Sequence, residues 1–149
     1  MSEKLHLKII TPERVLFDGE VDEVLLPGSD GQLGILPHHV PLLAALGVGE
    51  LMLKKGNEWE SFAVLGGFVE VRSDGSVSVL ADAAEHAEEI DELKALEAKK
   101  RAESILLERK DEVKFTEASL ALEKAIALLK VAQRKRKHRS QTISTSKNP

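Results

Sequence analysis

The side chains best suited to chemistry in this sequence are its histidines and its adjacent carboxylates. His38 and His39 form a pair, but neighbours on an extended chain point to opposite faces, so we do not expect them to share a metal ion. Asp22-Glu23 and Glu88-Glu89 are acids of the kind that a small hydrolase uses, although surface charge is the simpler interpretation. The chain has no cysteine, no G-x-x-x-x-G-K-[ST] phosphate loop and no G-x-S-x-G serine motif. We therefore predict neither a catalytic centre nor a metal site.

A second group of polar side chains lies in a stretch rich in glycine and proline, residues 26–46. Proline fixes φ and glycine permits positive φ, so these residues break the chain into tight reversals with short strands between them. We predict two rigid turns at one end of a β-structure, and rigid polar loops on a sheet commonly contact a partner. The polar residues of these turns are Asp30, Gln32, His38 and His39.

Composition divides the chain into a β part and a helical part near residue 85. All ten glycines lie between Gly19 and Gly75, and the one proline after Pro41 is Pro149. Residues 1–88 carry six Lys or Arg against fifteen Asp or Glu, whereas the remainder carries fifteen against ten. We therefore expect an acidic β domain followed by a basic helical domain, which defines an α+β protein.

The β part consists of short apolar runs separated by turn signals. Runs of about five residues at about 8–12-residue spacing, without long helical inserts, predict an antiparallel sandwich or barrel. Gly66-Gly67 is expected to interrupt one run, and Lys55-Gly56-Asn57 is expected to form a hairpin turn. The predicted strands are Lys4–Ile10, Val15–Phe17, Val21–Leu26, Leu33–Leu36, Leu42–Leu46, Val48–Leu53, Trp59–Leu65, Phe68–Arg72 and Ser76–Leu80.

The helical part extends from Glu85 to Lys137 without glycine or proline and is rich in Ala, Glu, Lys and Leu, which favour helix. The polar residues near 110 divide it into two predicted helices, Glu88–Lys110 and Glu112–Lys137, which form an antiparallel hairpin. The second helix has a clear apolar stripe at the spacing of an amphipathic helix. The stripe comprises Phe115, Ala118, Leu122, Ala125, Ile126 and Leu129.

A cluster of cations closes the helical part. It is either a solvated helix end favoured by the helix dipole or a contact surface for an acidic partner. Nucleic acid is not predicted, because no aromatic side chains interleave with the cations and the rest of the chain is acidic. The residues after the cluster are polar, so we expect a sandwich over 1–86, a hairpin over 87–138 and a disordered tail over 139–149. The basic cluster comprises Arg134, Lys135, Arg136, Lys137 and Arg139.

Three segments resemble the landmarks of one protein family. Leu26–His39, which reads Leu-Pro-Gly-Ser-Asp-Gly-Gln-Leu-Gly-Ile-Leu-Pro-His-His, resembles the signature of the epsilon subunit of F-type ATP synthase. Lys8–Glu13 and Leu65–Glu70 match its other landmarks. The likeness covers residues 3–137, and the length of the combined motif makes it specific.

The resemblance implies a non-catalytic subunit of the rotating central stalk of a proton-translocating F1Fo ATP synthase. A sandwich of two five-stranded sheets would bind the gamma subunit and rest on the ring of c subunits. The helical hairpin would fold against the sandwich in one state; in another it would extend along gamma into the alpha/beta catalytic head and inhibit ATP hydrolysis. The basic cluster would then face an acidic segment of the beta subunits. The residues assigned to the c-ring contact are Asp30, Gly31, Gln32, His38 and His39.

Some members of this family bind ATP through an aliphatic-Asp-x-x-Arg-Ala motif and two arginines of the second helix. The corresponding segment here is Ile90–Ala95, in which Asp91 is kept and Lys94 replaces the arginine. The positions on the second helix are Lys124 and Leu128. Lysine does not bind phosphate bidentately as arginine does, and leucine carries no charge, so we predict weak or absent ATP binding and no other cofactor.

Two other function classes stay open at this point: a freestanding adaptor that binds an acidic protein, and the small hydrolase. No apolar run reaches about 18 residues, so we expect no direct membrane insertion. The first residues lack the pattern of a signal or transit peptide. Together with the resemblance, this predicts a peripheral protein on the cytoplasmic face of a bacterial plasma membrane, or on the stromal face of a thylakoid.

Overall fold

The computed structural model describes the backbone of residues 3–108 and 110–146, and side chains as far as Arg134. Within these residues the chain forms eight strands, one turn of 3-10 helix (Ala87–Glu89) and two α-helices. It divides into two compact units after His86. The elements are β1 (Leu5–Ile10), β2 (Val15–Val21), β3 (Glu23–Gly28), β4 (Gly31–Ile35), β5 (Leu42–Lys55), β6 (Glu58–Val71), β7 (Ser76–Ala81), β8 (Ala84–His86), α1 (Glu92–Glu108) and α2 (Glu112–Ser146).

The strands build a sandwich whose two layers share two long strands. The hydrogen-bonded order is β2-β1-β7-β6-β5-β3-β4, and β8 pairs with the first half of β6. All neighbours are antiparallel except β1 and β7, which are parallel. The second half of β6 and the first half of β5 complete layer one with β2, β1 and β7. The first half of β6 and the second half of β5 complete layer two with β4, β3 and β8. Each layer therefore has five strands, and the predicted α+β fold with an N-terminal sandwich is confirmed.

The long strands correct two predicted breaks. Leu42–Leu46 and Val48–Leu53 are parts of the single strand β5, and Gly66-Gly67 bends β6 without ending it. Gly67 has φ 134°, and a Cβ there would lie 2.1 Å from the Leu80 carbonyl oxygen. Glycine therefore allows β6 to turn from one layer to the other while β7 stays paired beside it. β8 was not predicted, because three residues are too few for a periodic signal.

The core lies between the layers and is built by alternation along each strand. Inward positions are aliphatic, as the scarcity of aromatic residues requires. Phe62 is the largest fully buried side chain, and its ring packs edge-on against Phe17 and His86, with ring centroids 6.4 and 4.7 Å away. The fully buried core also includes Leu5, Leu7, Ile9, Val21, Val24, Leu26, Ile35, Leu51, Leu53, Val64, Val69, Val77 and Val79.

The two helices contact one another and begin at aspartate caps. The Asp91 carboxylate accepts a hydrogen bond from the Lys94 amide (3.1 Å), and that of Asp111 accepts one from Val113 (2.9 Å). Of the predicted stripe, Ala118 and Ala125 are buried, Leu122 and Leu129 are half-buried, and Phe115 and Ile126 are exposed. Neither helix, over the residues described, has the length and apolar character needed to cross a membrane.

The structure differs from the prediction at the C-terminus. The backbone of α2 stays helical to Ser146, so most of the segment predicted to be disordered, 139–149, is helix; residues 147–149 lie outside the described part. No glycine or proline interrupts α2, and helix propagation adds a hydrogen bond for each residue fixed, so a polar composition does not by itself end a helix.

Candidate interaction surfaces

An apolar row crosses the outer face of layer one. Val15 is the register partner of Ile10, Ile10 of Leu80, Leu80 of Phe68, and Phe68 of Ala45. The strand neighbours of Ile10, Leu80, Phe68 and Ala45 point into the core, so these four side chains point outward. The register shifts by one residue before Val15, whose side chain is exposed on the same face. We call these five residues the apolar row. It spans five strands, or about 19 Å at a strand spacing of about 4.8 Å.

Four of the five residues of the apolar row are exposed, and Ile10 is half-buried. Phe68 is 55% exposed, Val15 52% and Leu80 50%, and Leu43 in the adjoining row is 73% exposed. Burial of one such side chain gains about 1.5–3 kcal/mol. Contiguous apolar surface on a sheet face is typical of a protein contact site.

The row of residues next to the apolar row, on the same outer face of layer one, is mostly polar or charged. The next row holds Asp18, Lys8, Ser78 and Glu70 beside Leu43. His6 Nε2 lies 2.7 Å from the Asp18 carboxylate, and Arg72 donates a 3.0 Å hydrogen bond to Glu70, which raises the pKa of Arg72. The face is therefore apolar along one edge and charged along the other.

The first predicted turn joins β3 to β4 through Ser29 and Asp30. Gly28 pairs with Gly31 across it, and the Ser29 amide donates to the Ala45 carbonyl (3.0 Å), which fixes the turn to β5. Gly31 has φ 134°, a conformation that favours glycine. Asp30, Gly31 and Gln32 are all exposed.

The second predicted turn precedes β5 and contains both histidines. The His39 amide donates to the Leu36 carbonyl (3.1 Å), with Pro37 and His38 as the central residues. His38 has φ 70°, as the third position of a type II turn requires, although glycine usually occupies it. His38 also pairs with Glu3, and His39 Nδ1 lies 2.6 Å from the Val40 carbonyl.

The prediction that these two turns lie at one end of the β-structure is wrong. β4 separates them, and its five residues extend over about 17 Å, so Asp30, Gly31 and Gln32 lie at one end of the strand and His38 and His39 at the other. Proline and glycine predicted where the chain reverses, but not at which end of the sheet each reversal lies.

A polar cleft of about 160 Å³ lies beside the histidine turn. Glu3, His38 and Arg72 line it together with Asp74, whose carboxylate accepts the Ser76 amide at 2.9 Å. That hydrogen bond lowers the pKa of Asp74. Within the described residues no three His, Asp or Glu side chains are grouped to hold a metal ion.

The residues predicted to correspond to the family's ATP motif lie at the start of α1 and on α2. Asp91 caps α1, Lys94 is exposed in its first turn, and Lys124 and Leu128 are half-buried on α2. In the basic cluster Arg134 is exposed, whereas the side chains of Lys135, Arg136, Lys137 and Arg139 lie outside the described part.

The apolar row was not predicted from the sequence. One signal was present: Ile10 and Leu80 follow inward residues in strands that otherwise alternate with polar ones, so the alternation fails at those two positions. Their alignment into one row with Phe68 depends on strand pairing, which no local pattern shows.

Comparison with known proteins identifies the family. The family profiles "ATP synthase, Delta/Epsilon chain, beta-sandwich domain" and "ATP synthase, Delta/Epsilon chain, long alpha-helix domain" match residues 4–87 and 88–133. The ATP synthase epsilon chain of Syntrophobacter fumaroxidans is 47% identical over 90% of this chain and 99% of its own length. That of Dehalococcoides mccartyi is 51% identical over 91% and 96%. The chain therefore belongs to the ATP synthase delta/epsilon chain family, and the resemblance predicted from Leu26–His39 is confirmed.

Two solved assemblies contain chains of similar fold. One is the Euglena gracilis mitochondrial ATP synthase, OSCP/F1/c-ring (TM-score 0.76, 24% identity, 84% of this chain and 79% of that one). The other is the Tetrahymena thermophila mitochondrial ATP synthase central stalk/c-ring (TM-score 0.58, 16% identity, 88% and 98%). At these identities the likeness extends to the fold alone.

Proposed function

We propose that this chain is a rotor subunit of the central stalk of a proton-translocating F1Fo ATP synthase, where it links the gamma subunit to the c-ring. The observation that carries the proposal is the exposed apolar row. A sheet face that leaves Val15, Phe68 and Leu80 half exposed suits a subunit that works inside an assembly. It performs no catalysis itself, because the catalytic sites of the enzyme belong to other subunits.

The gamma subunit is the proposed partner of the apolar row. Burial of Phe68 and Leu80 supplies affinity, and the charged rows beside them orient the partner, since the face changes from apolar to charged in one direction. The freestanding adaptor is the second candidate, and it would not bind gamma.

Co-purification with gamma tests this contact. Phe68→Glu places a charge within the apolar row, and we expect at least a tenfold loss of gamma binding because the carboxylate would have to be desolvated. Leu93→Glu is the matched control, since Leu93 is an apolar side chain of α1 that is 75% exposed and lies outside the row. If the Phe68→Glu variant and the natural chain bound gamma equally well, the proposed contact between gamma and this face would be contradicted.

The c-ring is the proposed partner of the turn that holds Asp30, Gly31 and Gln32. A short hydrogen-bonded turn loses little entropy on contact. His38 and His39 were assigned to the same contact, but they lie at the other end of β4. Because the chain has no cysteine, single cysteines at Asp30 and His38 can be cross-linked to cysteines in the c-ring loops. We expect cross-linking from the cysteine at position 30 but not from the one at position 38. Cross-linking from position 38 alone would show that the histidine turn, and not the turn at Asp30, contacts the c-ring.

Inhibition of ATP hydrolysis is the role proposed for α1 and α2. In an extended state they would reach the alpha/beta head, and the basic cluster would face an acidic segment of the beta subunits. Ending the chain before Glu88 should raise ATP hydrolysis by the isolated complex while assembly and coupling persist. Reversing the charges of Arg134, Lys135 and Arg136 should reproduce part of that increase, and unchanged hydrolysis in both variants would contradict the inhibitory role.

The proposed location follows from these partners. A subunit held between gamma and the c-ring is a peripheral membrane protein on the face that carries the catalytic head, which is cytoplasmic in a bacterium and stromal in a thylakoid. Fractionation of membranes with and without gamma tests it, because loss of gamma should release the chain.

A further inference from the structure

A histidine and a carboxylate form a pair on the outer face of layer one, two rows away from the apolar row. His6 Nε2 lies 2.7 Å from the Asp18 carboxylate, and the two side chains are 57% and 50% exposed. His6 points outward, since Leu7 beside it is fully buried, and it therefore shares a face with Ile10 of the apolar row. The pair belongs to the surface that is proposed to bind gamma.

The size of a stable protein interface brings this pair into the proposed gamma contact. Three rows across five strands, from the apolar row to the row of His6, measure about 24 Å by 20 Å, or about 480 Å². A stable interface buries about 800 Å² on each partner. A partner that binds this face must therefore cover all three rows, including His6 and Asp18.

The charges near His6 balance when its imidazole is neutral. Two carboxylates and two ammonium groups face it from its own strand and from β2, whereas the neighbouring positions of β7 are serines. These groups are Asp18 and Glu20 of β2, Lys4 and Lys8 on either side of His6 along the chain, and Ser76 and Ser78 of β7.

Removal of water changes which protonation state of the pair is favoured. In the free chain the pair is exposed, and an exposed ion pair contributes only about 0–1 kcal/mol. Under a partner, a neutral imidazole would leave the Asp18 carboxylate as a desolvated net charge, which is costly. A protonated imidazole makes the pair neutral overall, and the attraction between the two charges grows as the dielectric constant falls. Covering the pair therefore favours a proton on His6.

We propose, on the basis of the gamma contact proposed for this face, that docking of gamma takes up a proton at His6, so that gamma binds more tightly as the pH falls. Histidine is the side chain that ordinarily gains a proton between about pH 8 and pH 6. Affinity rises with falling pH wherever the complex binds more protons than its separate parts, and one proton gives at most about a tenfold gain per pH unit. The attachment of this subunit to the stalk thus strengthens when the surrounding solution acidifies.

The pH dependence of binding tests the proposal. The purified full-length chain is titrated against the alpha/beta/gamma complex that lacks it, at intervals from pH 8 to pH 6. His6→Gln keeps a hydrogen-bond donor but does not titrate, and we expect the affinity gain of the natural chain over this range to exceed that of His6→Gln by at least threefold. Equal pH dependence in the two chains would overturn the proposal. Calorimetry in buffers of different ionisation enthalpy should show proton uptake by the natural chain that His6→Gln lacks.

Two variants separate this pair from other titrating groups. His39→Gln is the matched control, since His39 lies on the histidine turn beside the Val40 carbonyl, and it should keep the natural pH dependence. In Asp18→Asn a protonated imidazole would lose its partner, so the affinity should no longer rise as the pH falls. Loss of the dependence in His39→Gln, or its persistence in Asp18→Asn, would overturn the proposal.

Failure of this inference is distinguishable from failure of the proposed function. Binding of the natural chain with the same affinity at every pH would overturn proton uptake at His6 and leave the gamma contact standing. Absence of binding at every pH would contradict both.

Discussion

Single glycines decide where the chain of the sandwich turns. Two of them, Gly31 and Gly67, allow the cost of a positive φ to be measured with and without a steric clash. Gly31 and Gly67 have the same φ of 134°, but a Cβ at Gly31 would meet nothing within 4 Å, whereas at Gly67 it would meet the Leu80 carbonyl at 2.1 Å. Comparing the two positions therefore separates backbone strain from steric overlap.

Gly31→Ala should lower the free energy of unfolding by about 1–2 kcal/mol, which is the strain of an unfavourable φ. Gly67→Ala should cost about 3 kcal/mol or more, because β6 and β7 must also move apart. Urea denaturation of both variants measures the difference. Equal losses would mean that the close approach of β6 to β7 adds nothing to the cost.

The prediction of weak or absent ATP binding also rests on single residues. The natural chain should show no ATP binding at micromolar concentrations by calorimetry, because Lys94 and Lys124 replace forked guanidinium groups and Leu128 has no charge. Changing all three to arginine should raise the affinity at least tenfold.

The control for this variant makes the same kinds of change elsewhere on the helices: Lys100→Arg, Lys114→Arg and Leu120→Arg. Leu120 is 47% exposed, so an arginine there is tolerated. Micromolar affinity in the natural chain, or an equal gain in the control, would contradict the assignment of the degraded motif.

At the scale of elements, β6 serves both the core and the outer surface. Phe62 is fully buried in layer two, and Phe68, six residues further along the same strand, is 55% exposed in the apolar row of layer one. One strand thus links the packing of the fold to the candidate gamma contact.

Alanine substitution at the two phenylalanines should separate stability from binding. Phe62→Ala should lower the free energy of unfolding by about 3–5 kcal/mol, since it leaves a cavity against Phe17 and His86. Phe68→Ala should change it by less than about 0.5 kcal/mol and should instead weaken gamma binding. Thermal unfolding and co-purification measure the two effects; a large loss of stability at Phe68 would show that the row is part of the core.

At the scale of the whole molecule, the two units differ in how they are stabilised. The sandwich buries leucine, isoleucine, valine and phenylalanine, whereas the buried residues among the described side chains of the helical unit are alanines and one valine. Alanine contributes much less hydrophobic free energy than the larger side chains.

The helical unit should therefore open at lower free energy than the sandwich. Amide exchange at buried positions of α1 and α2, such as Ala102 and Ala125, should be at least tenfold faster than at Val64 and Val79 in the sandwich. Equal protection in both units would show that they unfold together and would argue against a hairpin that detaches for regulation.

The sequence by itself determined the class of fold, the change from strand to helix near residue 85 and most strand positions, because local composition and periodicity express these features within one segment. The family came from the resemblance of Leu26–His39 to a known signature. The sequence also located the turns that carry Asp30 and His38, because glycine and proline act on their own residues.

Only the tertiary structure decided that β5 and β6 continue through both layers, that β4 separates the two turns and that five outward side chains form one apolar row. Each of these depends on which strands pair and in which register, and pairing is set by contacts between residues far apart in the chain. A pattern read along one strand does not contain that information.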